Sequence, residues 1–140
     1  MPPYLNPIVT NPPATQPREP IFNVPAIVIA TIAAFCLVHV GRTLLLDADG
    51  EIDFLLLFAF IPIRYDSSLL AGGTLPGGWG ADVWTFVSYA FIHADATHLG
   101  VNSVWFLAFG SALARRFTTL RFLAFFAVTA AAGAVAHLVT

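Results

Sequence analysis

The sequence predicts an all-α polytopic membrane protein, and three observations predict it. Of the 140 residues, 58% are hydrophobic and only 10% charged, where soluble domains carry about 25% charge. The mean hydropathy is +0.80, and the apolar residues gather into runs long enough to cross a bilayer. A chain this short leaves much of its surface uncovered after folding, so lipid must take what a small core cannot. Backbone groups in lipid must be bonded within their own segment, which at these run lengths means helix.

A hydrocarbon core of about 30 Å needs roughly 20 apolar residues. Residues 20–41 and 96–114 hold no charge, and 122–140 form a third run. The predicted spans are about 24–41, 96–114 and 121–140, inside a transmembrane domain over 23–140. Residues 54–63, with Pro62 near their end, make only half a span and are expected to lie along the interface or dip into it.

Charge sets the expected orientation. Arg115, Arg116 and Arg121 crowd the short joint between the second and third spans, while residues 42–95 hold seven acids against Arg42 and Arg64. The arginine joint is therefore expected inside, the connection 42–94 outside and the N-terminus in the cytoplasm, in a multi-pass protein of the plasma or inner membrane. That connection is too long for a turn. Trp79, Trp84, Tyr65 and Tyr89 gather there around glycines 72, 73, 77, 78 and 80, which suits turns and headgroup-level anchors.

Several function classes fall away. There is no lysine and the net charge is −2, so nothing resembles the basic stripe that binds nucleic acid. Cys36 is the only cysteine, which excludes a disulfide or Cys-based metal framework within one chain, and as a small buried hydrophobe it needs no function. No Gly-Lys-Ser/Thr follows the glycines, which argues against a phosphate loop. Seven of the ten prolines fall in residues 1–20. The first 22 residues read as a disordered, partly polyproline-like tail without a secretory signal.

The polar residues at membrane depth are His93, His98 and Asn102, in His93-Ala-Asp-Ala-Thr-His98-Leu-Gly-Val-Asn102. Ionisable groups there are functional candidates by default. Asp95 or Thr97 can cap the second span. With Asp95 as cap, His98 is the third helical residue, and Asn102 lies about 6 Å deeper and only about 40° around, on the same face. Imidazole N–H and amide NH2 are neutral donors, and converging they suit an oxyanion in a dry site. The competing reading is that they bond neighbouring helices as glue. His93 precedes the cap and belongs to the loop, where it can hold the loop rather than join the pair. Two His and an Asn at this spacing make a poor metal site, so no metal or other cofactor is expected. His39 and His137 stand singly and read as packing contacts.

Small residues four apart, Gly110 with Ala114 and Thr129 with Gly133, allow helix backbones to approach closely. The Thr129 hydroxyl can bond back to its own helix.

Trp84, His93 nine residues on, His98, Asn102 and then Gly110 together resemble the second helix of the rhomboid intramembrane serine proteases. The likeness is closest from about Trp84 to Arg116 and, more loosely, takes in most of residues 24–140. It implies a six-helix core that cleaves transmembrane protein substrates in the bilayer without a cofactor. A Ser nucleophile in a Gly-x-Ser-Gly turn stands on its fourth helix and a His base on its sixth. By this resemblance His98 and Asn102 form the oxyanion hole, His93 organises the loop, and Trp84 packs the loop into the membrane edge. Thr85 stands where the family often has Arg, and Ala114 where it often has an acid; both weaken loop and helix-end contacts rather than the chemistry.

Serines 67, 68, 88, 103 and 111 are the only ones, and none lies in a Gly-x-Ser-Gly context. Ser103 points about 100° away from Asn102. These 140 residues alone are therefore expected to hydrolyse nothing, since a nucleophile needs a base within reach. The uncapped ending His137-Leu-Val-Thr140 reads as the N-terminal half, three of six helices, of such a protease. The alternative is a non-catalytic rhomboid-like protein that holds client transmembrane helices. Transport is disfavoured because the apolar runs 20–41, 96–114 and 122–140 lack Asp, Glu, Lys and Arg.

Overall fold

Helix α1 (Ala26–Leu45) starts directly after Pro25, whose carbonyl accepts from the Val28 and Ile29 amides. A proline costs nothing there because no intrahelical partner exists for its missing N–H. The computed structural model describes residues 23–139 except 67, 69 and 71. The tail predicted for residues 1–22, Ser67 and Thr140 lie outside the described residues.

The connection after α1 is helical where the sequence suggested a loop. Asp47 caps α2 (Ala48–Phe58) by accepting from the Gly50 amide, and Asp49 and Glu51 occupy its first turn, where carboxylates favour the helix dipole. The apolar run 54–63 is thereby divided: its first half completes α2, and its end enters a 3-10 turn, Pro62–Tyr65. Helix α3 (Gly78–Ser88) begins at Gly77, with φ +86°. A Cβ at Gly77 would also stand 2.7 Å from the Ala81 methyl, so both backbone and space require glycine.

Asp95 caps α4 (Ala96–Trp105), accepting from the His98 amide at 2.8 Å. A π-helical turn, Phe106–Gly110, and α5 (Ser111–Ala114) continue it. Thr118 then caps α6 (Thr119–Leu138). The Arg115 guanidinium donates to the Asn23 carbonyl at 2.8 Å, so the start of α1 and the end of α5 share one end of the bundle.

The described residues form helices joined by turns, without strands. α1 and α6 are each long and apolar enough to cross a membrane. Their packing centre is aromatic. Phe35 of α1 lies 5.3 Å from Phe91, 5.4 Å from Phe106 and 6.2 Å from Phe126 of α6 by ring centroid. The first two are edge-on, and such pairs add to the area they bury. The π turn coincides with this cluster: Phe106 points into it while Trp105 and Phe109 stack on the outward side, 5.4 Å apart. Large apolar side chains such as Leu44, Leu120 and Val128 face outward.

Cys36 is exposed on α1, which corrects its reading as a buried hydrophobe. An apolar run in a bilayer helix places residues on the lipid face as readily as in the core. Tyr65 and Tyr89 are half-buried, with their hydroxyls bonded to Asp82 and Thr85 and to Ala130, while Trp79 and Trp84 are exposed.

Of the small residues, Gly110 is buried and Ala114 half-buried, and a Cβ at Gly110 would meet the Phe106 ring at 3.5 Å. The Thr129 hydroxyl donates to the Phe125 and Phe126 carbonyls of its own helix. At Gly133 the close neighbour is a side chain: Tyr89 donates to the Ala130 carbonyl at 2.8 Å, and a Cβ on Gly133 would stand 2.8 Å from the Tyr89 oxygen. Gly133→Ala is expected to destabilise the fold by about 1–3 kcal/mol. In a Tyr89→Phe background, where the oxygen is gone, the same substitution should cost much less. Unfolding of the four proteins of this cycle in detergent checks it, and strict additivity would contradict it.

Candidate functional site

The Asp95 cap fixes the first turn of α4 and with it His98. The His98 and Thr97 amides hold the Asp95 carboxyl below its ordinary value. One turn further along, Asn102 follows. Both side chains are exposed, and neither hydrogen-bonds another side chain or carbonyl among the described residues. Asn102 stands at a cavity of about 380 Å³, shared with His93, Trp105, Phe106, Phe109 and Phe122. The site is thus an apolar recess between α1, the α4–α5 segment and α6, with an unpaired amide on its wall.

His93 is only 2% exposed. Its main chain belongs to the turn before the cap, and its carbonyl accepts from Arg42 Nη1 and from His39 Nδ1, each at 3.3 Å. Its ring reaches the His98 ring, with centroids 5.3 Å apart and planes at 69°. His93 therefore both anchors the turn and adjoins the polar pair. Helical extrapolation puts it about 140° away, but residues 92–95 are not helical, so that angle does not apply. Its Nδ1 lies 3.3 Å from the Phe91 carbonyl; an N–H there donates to that oxygen, leaving Nε2 without the proton.

Burial holds the His93 imidazole below its ordinary 6.5. The Phe91 carbonyl works the other way, and the nearby charges of His98, His39 and Arg42 add to the depression. The unfolded chain protonates this histidine near 6.5 and the folded chain only at lower pH. Between those values the unfolded state binds more protons, so stability falls as pH falls through that window and is unaffected above it. The unfolding midpoint should therefore hold steady from pH 8 to 7 and drop toward pH 5.5; a midpoint that rises on acidification would contradict the assignment. The depressed Asp95 carboxyl adds its own loss only below about pH 4.

Trp84 ties two elements of the connection together, its indole N–H donating to the Leu57 carbonyl at 2.8 Å. Thr85 is fully buried, and its hydroxyl bonds the Ala81 carbonyl at 2.6 Å and the Tyr65 hydroxyl at 3.0 Å. The cation of this region is Arg64, which donates to the Leu56 and Pro76 carbonyls and to Asp82. It holds the connection despite the threonine at 85. Sequence reasoning passed over Arg64 and the grip of Arg42 and His39 on His93. An arginine three residues after a histidine, at the end of an apolar run, was the signal that could have pointed to it.

No serine hydroxyl among the described residues bonds a histidine. Ser88 donates to the Phe58 carbonyl, while the Ser103 and Ser111 hydroxyls are buried without a partner. Ser103 lines a separate apolar recess with Ile29, Ile32, Val104 and Leu107, away from Asn102. No group of three or more His, Cys, Asp or Glu among the described residues is placed to hold a metal.

Residues 80–140 match the family model of the Rhomboid domain. Neither curated proteins nor solved structures yield a match. The matched stretch begins within α3 and takes in Trp84, the His93 turn, His98, Asn102 and the whole of α6. With two helices fit to cross a bilayer, the protein is an integral membrane protein whose residues 80–140 are similar to the Rhomboid domain.

Proposed function

We propose that this chain carries the oxyanion-hole part of a rhomboid-type intramembrane serine endopeptidase. The observation that carries the reading is the pair of unpartnered neutral donors on one capped helix: the His98 ring beside a buried histidine, and Asn102 on the wall of an apolar recess. Neither donor is bonded to a neighbouring helix among the described residues, so the described packing does not use them as glue. When a serine attacks the scissile carbonyl of a transmembrane substrate, the oxygen gains negative charge. A ring N–H of His98 and the Asn102 amide would donate to it where water is scarce, and such donors act most strongly there. The nucleophile and its base come from outside the described residues, since none of the described serines faces the pair. The chain is a multi-pass protein with its arginine joint in the cytoplasm, and Gly110, Ala114, Thr129 and Gly133 serve packing.

The test is cleavage of a transmembrane reporter by the full-length gene product in liposomes. Cleavage at a site within or next to the reporter's span is expected. Stable binding of the reporter without cleavage would instead establish the second reading, a non-catalytic holder of client helices, which draws on the same apolar recess.

A further inference from the structure

Arg42 is a cation buried to 7% exposure at the last turn of α1. Taking a guanidinium out of water costs several kcal/mol unless partners compensate. Its partners come from two other elements. Nε lies 2.9 Å from Glu51 Oε1 on α2, a close ion pair though without hydrogen-bond alignment. Nη1 donates to the His93 carbonyl. His39, one turn earlier on the same helix, donates to that carbonyl as well.

The gripped carbonyl lies two residues before the Asp95 cap, and the cap accepts from the His98 amide. The His93 ring, fixed between Phe35 at 5.2 Å and His98 at 5.3 Å, follows its own backbone. One buried cation thus holds the carbonyl two residues before the cap on which the first turn of α4 rests. Resting on the oxyanion-hole reading above, we infer that Arg42, with His39 and Glu51, is a positioning residue that places His98 for catalysis by holding the His93 carbonyl. The effect is geometric. A misplacement of about 1 Å near reacting atoms can cost about 100-fold in rate, whereas most of the recess, walled by Trp105, Phe106, Phe109 and Phe122 as well as by His93, is left in place.

The test compares wild type, Arg42→Gln and Arg42→Lys in the full-length gene product, cleaving a transmembrane reporter in liposomes. Arg42→Gln is expected to lower kcat by about 30- to 100-fold with KM within about two-fold. Arg42→Lys, which keeps a cation and a donor, should recover most of that loss. A kcat within two-fold of wild type, or a loss equal in both variants, would overturn the inference. Should wild type cleave nothing, the oxyanion-hole reading fails by itself, and ¹⁵N-histidine spectra in detergent decide the positioning claim separately. The ring signals of His93 and His98 must then move in Arg42→Gln, while His137, packed near Phe60, stays in place. An unmoved His98 signal would refute it. Where Arg42→Gln does not fold, the same spectra on His39→Gln decide between the two outcomes, because that variant removes one of the two donors to the carbonyl.

Discussion

In the full-length gene product, His98→Ala and Asn102→Ala are each expected to lower turnover by about 10- to 1000-fold while leaving the unfolding midpoint close to wild type. The size follows from oxyanion chemistry: one lost donor costs about 10²–10³ in rate where water is excluded. The near-neutral stability follows from the geometry. Both side chains are exposed and hydrogen-bond no other described residue, so truncating them leaves no buried hydrogen-bonding group unpaired and removes only the His98 ring's edge contact with His93. Because the two donors serve one oxygen, the double variant should lose less than the product of the single losses. Steady-state kinetics beside thermal unfolding checks this. Losses of activity and stability in proportion would mark the pair as helix-to-helix glue.

Replacing Arg64 by Met should be the most damaging change in the connection, destabilising the fold by about 2–4 kcal/mol. The side chain is only 2% exposed, and its guanidinium donates to two main-chain carbonyls, Leu56 at the end of α2 and Pro76 just before α3. Without it, both carbonyls lose a charged donor in a place water reaches poorly. Asp82 contributes less, since its carboxylate is 44% exposed and exposed ion pairs are weak. Asp82→Asn should therefore cost under about 1 kcal/mol. Arg64→Lys should recover only part of the loss, because one ammonium cannot reproduce the spread of a planar fork. Chemical unfolding of the three variants in detergent checks the order; equal effects of Arg64→Met and Asp82→Asn would contradict it.

What the sequence could reveal was local. The Asp95 cap follows from residue chemistry and a three-residue spacing, and the shared face of His98 and Asn102 follows from the helical repeat, so both could be read without coordinates. The two apolar runs that form α1 and α6 were legible because lipid imposes a length. The helices of residues 42–94 were not, since a count of apolar residues overlooks an Asp47 cap followed by Asp49 and Glu51. The π turn at Phe106–Gly110 depends on how Phe106 meets Phe35, Phe122 and Phe126, a contact between distant segments. The grip on the His93 carbonyl was hidden for the same reason, because Arg42 and His93 lie 51 residues apart. Cys36 was misjudged because an apolar run does not reveal which of its faces meets lipid.

The most direct measurement of the central claim is the rate at which a fluorophosphonate labels the full-length gene product in membranes. The probe traps a serine as a tetrahedral adduct whose phosphoryl oxygen occupies the oxyanion position, so its rate reports nucleophile and hole together. The account predicts labelling of one serine outside residues 23–139, slowed by about 10-fold or more in His98→Ala and in Asn102→Ala. Labelling at the wild-type rate in both variants, or no labelling of the wild type at all, would contradict it.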